Sequence, residues 1–160
     1  MEKLNKRIAV IRVRGTCGVR TPIEHTMKHL HLYRKNSCIV ITNTPVYVGM
    51  LKIAKDYITW GEIEEETFKM LLSMRGKLPG NKRLTEDYIK EKLKLGINDF
   101  SKDFFSFKKE LKDIPGLKLF FRLSPPRKGF ERGGIKKPFS LGGALGYRKE
   151  KINELIIRMI

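Results

Sequence analysis

The chain has 160 residues, of which 34 are Lys or Arg and 17 are Asp or Glu, so its formal net charge is +17. A chain of this length is expected to form one domain, or a small core with an elaboration, and to bury a substantial apolar interior. The charge favours phosphate or anionic lipid as a partner, but no apolar run approaches the roughly 18 residues of a membrane span. We therefore expect no membrane partner.

The N-terminal residues and the cysteines indicate the compartment. Arg12 and Arg14 interrupt the apolar stretch that follows Ile8, which is not the pattern of a secretory signal peptide. Cys17 and Cys38 are the only cysteines, and their spacing does not form a C-x-x-C motif. We therefore expect a cytoplasmic protein with two free thiols.

Residues 1–62 predict a compact strand-helix-strand-helix-strand unit. Runs rich in β-branched residues predict strands over 7–14, 37–42 and 57–60. Each helix is expected to begin at a Thr-Pro pair, because threonine caps helices and proline suits their first turn. These pairs are Thr21-Pro22, where Glu24 would complete a capping box, and Thr44-Pro45.

Apolar residues at helical spacing predict the buried face of each of these two helices. We expect the helices to cover one face of the sheet. The predicted buried positions are Ile23, Met27 and Leu30 on the first helix, and Val46, Met50, Ile53 and Tyr57 on the second.

Residues 63–160 predict a mainly helical elaboration. Helices are expected over 64–74 and 85–93, from Asn98 onward, and over 149–160. The helix capped by Asn98 should reach at least Leu111, because Phe100, Phe104, Phe107 and Leu111 recur at helical spacing. Between residues 117 and 123, apolar residues alternate with Lys118, Phe120 and Arg122, which predicts a strand.

A basic loop rich in glycine and proline occupies residues 124–146, and we call it the tether. It contains six glycines and three prolines, so no regular helix or long strand is expected. With so few apolar residues, the tether should bury too little apolar surface to offset the conformational entropy lost on ordering. We therefore expect a polyanion, above all structured RNA, to give it shape. The tether contains a single acidic residue, Glu131. The basic residues of the tether, together with Arg148 just beyond it, are Arg127, Lys128, Arg132, Lys136, Lys137 and Arg148.

The positive charge is concentrated at the two ends of the chain. Residues 1–60 carry 11 Lys or Arg and 3 Asp or Glu, and residues 122–160 carry 10 and 3, whereas residues 61–121 carry 13 and 11. The nearly equal numbers of basic and acidic residues over 61–121 are typical of a solvated surface. The two basic ends favour nucleic acid, because cations pair with phosphates and the interspersed aromatic rings can stack on unpaired bases.

Two clusters of possible ligands or catalytic acids are incomplete. His25 and His29 lie four residues apart and could share a metal ion, with Cys17 or Cys38 as a third ligand, but no second ligand pair follows. The carboxylates at residues 62–66 open a helix, where they favour the helix dipole and point to solvent. We therefore expect no metal and no catalytic residue.

The paired glycines of the tether invite a nucleotide-binding interpretation. Gly129 and Gly134 have the separation of a phosphate-binding loop, but Ile135 occupies the position of the required lysine. No strand-loop-helix unit surrounds them. We therefore expect no nucleotide cofactor.

Four blocks of sequence cover nearly the whole chain in a characteristic order. They are IRVRG at 11–15 with GV at 18–19, TPVYVGML at 44–51 running on to YITWG at 57–61, RGK at 75–77 with NKR at 81–83, and LSPPRKG at 123–129 with GGALG at 142–146. In this order they resemble the L-thirty family of large-subunit ribosomal proteins (protein seven of the eukaryotic large subunit) in its long archaeal form.

The resemblance implies an α+β fold. A small antiparallel sheet with a ferredoxin-like β-α-β-α-β core would occupy residues 1–62. Residues 63–160 would be the archaeal and eukaryotic elaboration, packed on the core and carrying the basic loop 124–146 and a C-terminal helix over 148–160. The long basic N-terminal extension of eukaryotic members is not present in this sequence, which favours the archaeal type.

The resemblance also implies a non-catalytic role as a structural constituent of the large ribosomal subunit. The protein would bind and stabilise large-subunit (23S-type) rRNA and support assembly. Neighbouring ribosomal proteins and 5S rRNA are further expected partners, and no obligate homo-oligomer is expected. Two alternatives stay open: a small RNA-modifying enzyme and a DNA-compacting architectural protein.

RNA contacts are expected from basic residues throughout the chain, together with residues that match the family's first turn and second helix. The predicted set is Arg12, Arg14, Gly15, Arg20, Lys28, Arg34, Lys35, Tyr47, Gly49, Lys52, Arg75, Lys77, Lys82, Arg83, Arg122, Arg127, Lys128, Arg132, Lys136, Lys137 and Arg148.

Overall fold

A computed structural model describes residues 6–160, so residues 1–5 of the predicted core lie outside the described part. Five strands form one sheet in the order β4-β2-β1-β3-β5. The strands are Arg7–Arg12 (β1), Ser37–Thr42 (β2), Ile58–Glu62 (β3), Phe121–Arg122 (β4) and Gly146–Tyr147 (β5). The helices are Thr21–His29 (α1), Pro45–Ala54 (α2), Glu65–Arg75 (α3), Glu86–Leu93 (α4), Ile97–Phe105 (α5) and Ile152–Met159 (α6).

Strand β1 lies at the centre of the sheet and is antiparallel to both neighbours. Ala9 pairs with Val40 of β2 on one side and with Gly61 of β3 on the other. Strands β2 and β3 are therefore parallel to each other and joined by α2, with β1 inserted between them. This split β-α-β arrangement is ferredoxin-like, and it confirms the predicted α+β class. The sheet is mixed, because β5 joins β3 in parallel at Thr59 and Trp60.

Alternate residues of β1 point to two separate apolar cores, because successive side chains of a strand face opposite sides of the sheet. Ile8 and Val10 contribute to a core that includes Met27 and Leu51 from α1 and α2. Ala9 and Ile11 contribute to a larger core with residues of α3, α5 and α6. Helices thus cover both faces of the sheet, whereas the sequence led us to expect one covered face.

The larger core is built around stacked phenylalanines. The rings of Phe68 and Phe104 lie parallel with centroids 4.4 Å apart, and Phe100 stacks on Phe104 at 6.4 Å. Helix α6 closes this core with four apolar residues at helical spacing, all of them buried: Ile152, Leu155, Ile156 and Met159. No helix within residues 6–160 has the length and apolar character that crossing a bilayer requires.

The predicted buried stripe of α2 is correct for Met50 and Tyr57, which are partly buried against the core, but wrong for Val46 and Ile53. Val46 and Ile53 are 68% and 52% exposed, whereas Leu51 and Ala54 are the residues that α2 buries. The sequence PVYVGMLKIA is apolar on nearly every side, so several stripes fit a helical period equally well. The capping prediction for this helix is confirmed, since the Thr44 hydroxyl accepts a hydrogen bond from the Tyr47 amide at 3.4 Å.

The other predicted helix start, at Thr21, differs from the structure. The residue that precedes α1 is Arg20, it makes no side-chain capping bond, and Thr21 is the first helical residue. Proline at the second helical position accommodates this start, because its missing N–H would have no intrahelical partner there. The predicted capping box does not form.

Helix α5 is shorter than predicted. It begins after Gly96 and ends at Phe105, so Asn98 is not its cap. The amides of Lys108 and Lys109 both donate to the Asp103 carbonyl, and Phe107 adopts a left-handed φ of 60°. A left-handed residue just beyond the last turn ends a helix regardless of later apolar spacing.

The strand predicted over 117–123 is reduced to Phe121 and Arg122, which pair with Cys38 and Ser37. The preceding residues leave the sheet, because the Lys118 amide donates to the Lys77 carbonyl at 2.9 Å instead of to β2. Their alternation is retained, but the segment lies against the connection that follows α3.

The tether has an interior of its own, so the expectation that only a polyanion could shape it is wrong. Ala144 and Leu145 pack with Val13 in a small third core. Backbone hydrogen bonds link residues 133 to 142, 134 to 144 and 137 to 145 across the tether. Gly143 is needed here, since a Cβ at that position would lie 2.1 Å from the Lys137 carbonyl oxygen. As predicted, the tether contains no regular element longer than three residues.

Candidate nucleic-acid interface

One end of the sheet brings distant parts of the chain together, and we call it the basic end. It is the end at which β1 finishes: Arg12 pairs with Ile58, and its carbonyl accepts the Asn36 amide at 2.8 Å. The Asn36 carbonyl in turn accepts the Leu123 amide at 2.9 Å. Strand pairing therefore places the segments next to Arg12, Asn36, Ile58 and Leu123 side by side.

A cavity of about 380 Å³ lies at the basic end, and we call it the groove. Four of its lining residues are cations, two are aromatic and none is acidic. The lining residues are Tyr33, Arg34, Ser37, Lys77, Asn81, Lys118, Phe120 and Arg122.

Backbone hydrogen bonds fix the walls of the groove. Arg122 is held opposite Ser37 by the β4–β2 pairing, and Lys118 is tied to Lys77 through their main chains at 2.9 Å. A bridge between Lys77 and Arg83 closes the turn that carries Asn81. The cations thus project from a preorganised backbone, which lowers the cost of ordering them around a ligand.

The aromatic side chains form a corner inside the groove. The rings of Tyr33 and Phe120 meet edge to face, with centroids 5.8 Å apart and an interplanar angle of 78°. The Tyr33 hydroxyl is hydrogen bonded to Nδ1 of His31 at 2.9 Å, which fixes the ring, yet Tyr33 is 46% exposed. The corner therefore offers an immobilised ring face to a planar ligand.

The polar side chains of the groove carry no ion pairs within residues 6–160. Lys118 donates to the Asn81 side-chain oxygen at 2.8 Å, and the salt bridges of the described part involve none of the four groove cations. At the turn that precedes β2, Oδ1 of Asn36 is buried and finds no hydrogen-bond donor in the part that the structure describes. Uncompensated cations of this kind favour an anionic ligand.

The sequence predicts three of the groove residues, Arg34, Lys77 and Arg122, as RNA contacts. The other five lining residues are not in the predicted set: Tyr33, Ser37, Asn81, Lys118 and Phe120. Among these, Lys118, Phe120 and Asn81 are the ones that sequence signals bear on. A signal for two of them existed in the alternation over 117–123, which places Lys118 and Phe120 on the same side as Arg122. Asn81 belongs to the NKR block at 81–83, but only the turn after α3 and the long-range contact with Lys118 show that it lines the groove.

Arg12, a predicted RNA contact, is instead a buried structural residue. It is 2% exposed, and its guanidinium donates to the carbonyls of Arg14, Gly15 and Leu32 at 2.7 to 2.9 Å. Burial lowers the pKa of Arg12 below its ordinary value, and the charge of Glu24 opposes that shift. The guanidinium fixes the loops of the basic end and has no free donor face for phosphate, because its position in β1 directs it inward.

Arg148 is likewise internal, and it holds the tether on the sheet. Its guanidinium bonds to the Glu131 carboxylate at 2.7 and 3.3 Å, to the Ala144 carbonyl at 2.8 Å and to the Thr59 hydroxyl at 2.8 Å. It also lies over the Phe139 ring, 4.7 Å from its centroid. The prediction that Arg148 contacts RNA is therefore corrected: composition could not reveal that the one acid of the tether pairs with it.

Glu131 is the anionic partner of this arrangement. Burial raises the pKa of its carboxyl, but the hydrogen bond from Arg148 and the charges of Arg148 and Arg158 outweigh burial and hold the pKa below its ordinary value. The carboxylate is thus charged at neutral pH and neutralises Arg148 inside the protein. The surrounding tether cations keep their charge for solvent or a partner.

The five cations within the tether itself lie on its outer surface. Each is exposed, and none makes a salt bridge among residues 6–160. They are Arg127, Lys128, Arg132, Lys136 and Lys137. The tether therefore presents a folded cationic surface around a neutralised centre.

Arg14, Gly15 and Arg20 lie on the loop that follows β1. Arg14 lies over the Tyr57 ring at 4.8 Å and donates to the Asp56 carbonyl at 3.2 Å, so its guanidinium is partly engaged. Gly15 and Arg20 are exposed. This loop starts at the basic end, beside the loops that Arg12 ties together.

Three predicted residues adjoin the groove without lining it. Lys35 follows Arg34 at the turn into β2, and Lys82 and Arg83 follow Asn81 at the opposite wall; all three are exposed. They extend the positive surface on both sides of the groove.

Two other predicted contacts are engaged within the protein. Lys28 pairs with Glu24 at 2.9 Å, and that hydrogen bond and charge lower the pKa of the Glu24 carboxyl. Arg75 is half-buried and donates to the Ser124 hydroxyl at 2.6 Å and to the main-chain oxygen of Ile160. Arg75 thus fastens the start of the tether to α6.

The outward face of α2 carries Tyr47, Gly49 and Lys52, all exposed. A Cβ at Gly49 would meet nothing within 4 Å. Glycine inside a helix costs about 0.5–1 kcal/mol relative to alanine, so packing within the chain gives no reason for it. With Val46 and Ile53, this face forms an exposed apolar strip beside Lys52.

A larger cavity, of about 540 Å³, follows the part of β2 that β4 does not cover. It is lined by apolar residues such as Ile39 and Leu111, and Tyr47 is the one predicted contact that borders it. Glu110 lies in its wall but is paired with Arg7 at 3.0 Å. This cavity lacks the acid-free cationic lining of the groove.

No group of three or more His, Cys, Asp or Glu side chains within residues 6–160 is arranged to hold a metal ion. Cys38 is buried, and burial raises the pKa of its thiol, whereas Cys17 is exposed on the loop after β1. The most perturbed tyrosine is Tyr147, where burial and the hydrogen bond to Glu62 raise the pKa to about 12. These groups are dispersed and do not form a shared site.

The fold and the groove define a small α+β protein with a preorganised cationic surface, and comparison with known proteins gives its family. Residues 8–58 match the family model of ribosomal protein L30p/L7e. The chain is 52% identical over 149 residues to the large ribosomal subunit protein uL30 of Methanopyrus kandleri, covering 92% of this chain and 100% of that protein. It is 51% identical to the uL30 protein of Methanococcus maripaludis strain C5 (95% and 98% covered) and 50% identical to that of Nanoarchaeum equitans (95% and 97% covered).

The chain therefore belongs to the ribosomal protein L30p/L7e family, in its archaeal form. The family predicted from the four sequence blocks is confirmed. The family model ends at residue 58, close to the end of the ferredoxin-like unit, while the archaeal relatives extend over the elaboration and the tether.

Proposed function

We propose that this protein is a structural constituent of the large ribosomal subunit that binds large-subunit (23S-type) rRNA through its basic end. The groove, the loop after β1 and the outer surface of the tether would contact the RNA backbone. Binding would stabilise the folded RNA and support assembly of the subunit in the cytoplasm, without catalysis. Neighbouring ribosomal proteins and 5S rRNA are the further partners we propose.

One observation carries this proposal: four cations from three distant segments converge on the groove with no carboxylate among its lining residues. In the same molecule, Arg148 and Arg7 are each matched with a carboxylate. Cations left unmatched on a rigid backbone suit phosphate groups, which supply most of the affinity in protein–RNA contacts and fix the orientation of the protein.

The proposed RNA contacts include all the predicted residues except two whose side chains are buried and hydrogen bonded within the protein. Arg12 and Arg148 are omitted, and Lys28 and Arg75 have a smaller role because they are already hydrogen bonded. Lys118, Phe120 and Asn81 are added from the groove. Gly49 would allow the backbone of a partner to approach the outward face of α2 closely, and the exposed Tyr47 side chain would contact that partner beside it.

Binding of the full chain to folded large-subunit rRNA across a salt series tests the proposal. If about eight phosphates are neutralised, log Kd should change with log salt concentration with a slope magnitude of roughly 6 to 7. Duplex DNA of equal charge should compete poorly, because the proposed recognition depends on RNA shape. A flat salt dependence, or equal competition by DNA, would contradict the proposal, and the second result would favour an architectural DNA-binding protein.

A further inference from the structure

We infer that the groove is a binding site for one unpaired nucleotide of the RNA, with its base stacked in the Tyr33–Phe120 corner and its flanking phosphates on the surrounding cations. This inference rests on the proposed function and assigns a substrate class to one part of that surface. It concerns the kind of RNA feature recognised, and general phosphate binding at the basic end does not require it.

The size of the groove is the first argument. Its volume of about 380 Å³ falls at the lower end of the range of pockets that enclose small ligands. A pocket of this size suits a single nucleotide and is too small for a helical segment of RNA. A continuous duplex could touch the cations at the rim but would leave the aromatic corner unoccupied.

The aromatic corner is the second argument. An exposed Tyr33 ring, held by His31 and flanked edge-on by Phe120, lines the groove together with four cations. A base stacked on one ring would place its edge against the other, which is a favourable aromatic geometry. Bases within a duplex cannot reach such a ring, whereas bulged or looped bases can be splayed out onto it.

The polar residues around the corner are the third argument. Ser37 and Asn81 line the groove with the cations, and their side chains carry groups that can hydrogen bond with the edge of a base or a ribose hydroxyl. Arg34 and Arg122 lie near Ser37, and Lys77 and Lys118 lie on the opposite wall with Asn81. Cations on both walls would receive the phosphates before and after the extruded nucleotide.

The test compares two RNA hairpins of identical stem, one carrying a single bulged adenosine and the other fully paired. Wild-type protein should bind the bulged hairpin about 5- to 100-fold more tightly, the range that stacking of one base on an aromatic ring provides. With 2-aminopurine in place of the bulged base, binding should quench its fluorescence.

The decisive variant is Tyr33→Leu, with Tyr147→Leu as its control. Tyr147 is also 46% exposed and hydrogen bonded through its hydroxyl, but it lies outside the groove. Tyr33→Leu should abolish both the preference and the quenching while leaving the salt dependence unchanged, because no charge is removed. Tyr33→Trp should restore both, and Tyr147→Leu should behave like the wild type.

Two outcomes would overturn the inference while leaving the proposed function intact. In one, wild-type protein binds both hairpins and large-subunit rRNA but shows no preference for the bulge. In the other, Tyr33→Leu, shown to be folded by circular dichroism, keeps the wild-type preference. If neither hairpin nor large-subunit rRNA is bound, the proposed function fails as well.

Discussion

The tether and the groove are both rich in cations and both adjoin the sheet, but they use their charges in opposite ways. Just beyond the tether, Arg148 has only 1% of its side chain exposed, is paired with Glu131 of the tether, and organises the loop around itself. In the groove, four cations surround a cavity without any acidic residue. The partner of a cation, more than its place in a basic segment, therefore decides whether it holds the fold or stays free for a ligand.

The same distinction separates other arginines of this protein. Arg7, at the opposite end of β1, bonds to the Phe104 carbonyl and to Glu110 and lies 3.9 Å from the centroid of the Phe104 ring. Arg12 donates its hydrogen bonds to backbone carbonyl oxygens at the basic end. Each of these residues is expected to contribute to stability, whereas Arg34 and Arg122 are expected to contribute to binding.

Exchanging one arginine of each kind for methionine should give the strongest contrast in stability. Arg148→Met should lower the free energy of unfolding by about 3–5 kcal/mol, because it removes the hydrogen-bond donor of the half-buried Glu131 carboxylate and of the Ala144 carbonyl and leaves Glu131 only the more distant Arg158. Arg122→Met should change it by less than about 0.5 kcal/mol, as is usual for exposed positions. Urea denaturation followed by circular dichroism measures both. Equal losses would refute the contrast between tether and groove.

The packing of the tether gives the next prediction. Gly143→Ala should destabilise the protein by about 1–3 kcal/mol, because the new methyl would lie 2.1 Å from the Lys137 carbonyl and force the backbone apart. Gly15→Ala is the matched control, since a methyl group at that position would meet nothing within 4 Å and the φ of Gly15 is not left-handed. Thermal unfolding compares the two variants. A tolerated Gly143→Ala would indicate that the tether has no fixed interior.

A pH series tests the role of the Glu131 charge. The folded-state pKa of Glu131 lies below the ordinary value, so the stabilisation it gives is present above that ordinary value and is lost as pH falls through the folded-state pKa. At pH 7, Glu131→Gln should therefore cost about 1.5 kcal/mol, the value of a charged hydrogen bond.

The difference between Glu131→Gln and wild type should shrink as pH is lowered below 4.5 and vanish once the wild-type carboxyl is protonated. Denaturant titrations at several pH values provide the measurement. A difference that is constant with pH would show that the charge of Glu131 has no part in holding Arg148.

A substitution on α2 with a smaller expected effect separates a contribution to stability from a contribution to RNA binding. Gly49→Ala should raise the free energy of unfolding by about 0.5–1 kcal/mol, because alanine favours helix and its methyl meets nothing within 4 Å. If a partner approaches this face closely, the same variant should bind large-subunit rRNA more weakly in spite of its greater stability. Unchanged affinity would remove the outward face of α2 from the proposed interface.

Much of the fold could be predicted where local signals and packing agree. The three core strands, the cap at Thr44 and the buried stripe of α6 follow from residue pattern alone. The buried side of α2 could not, because its sequence is apolar on several faces. The C-terminal end of α5 could not be predicted either, because a left-handed residue at Phe107 and hydrogen bonds to the Asp103 carbonyl end the helix although the phenylalanine spacing continues.

The site could be predicted only in part, because sequence gives the charges but not their partners. The basic character of Arg34, Lys77 and Arg122 predicts contact with RNA, but nothing in their spacing shows that they line one cavity. Arg12 and Arg148 carry the same charge, and only the long-range contacts with Leu32 and Thr59 distinguish them as internal. Whether the selected residues contact RNA stays a prediction.

The role of the groove cations is tested most sharply by the salt dependence of binding to large-subunit rRNA, using a variant with Arg34, Lys77 and Arg122 all changed to alanine. Its control changes three exposed lysines outside the groove to alanine: Lys90, Lys102 and Lys108. We predict that the groove variant stays folded and loses about two to three from the magnitude of the log–log slope, while the control keeps the wild-type slope. An identical slope for the groove variant and the wild type would show that these cations do not bind phosphate.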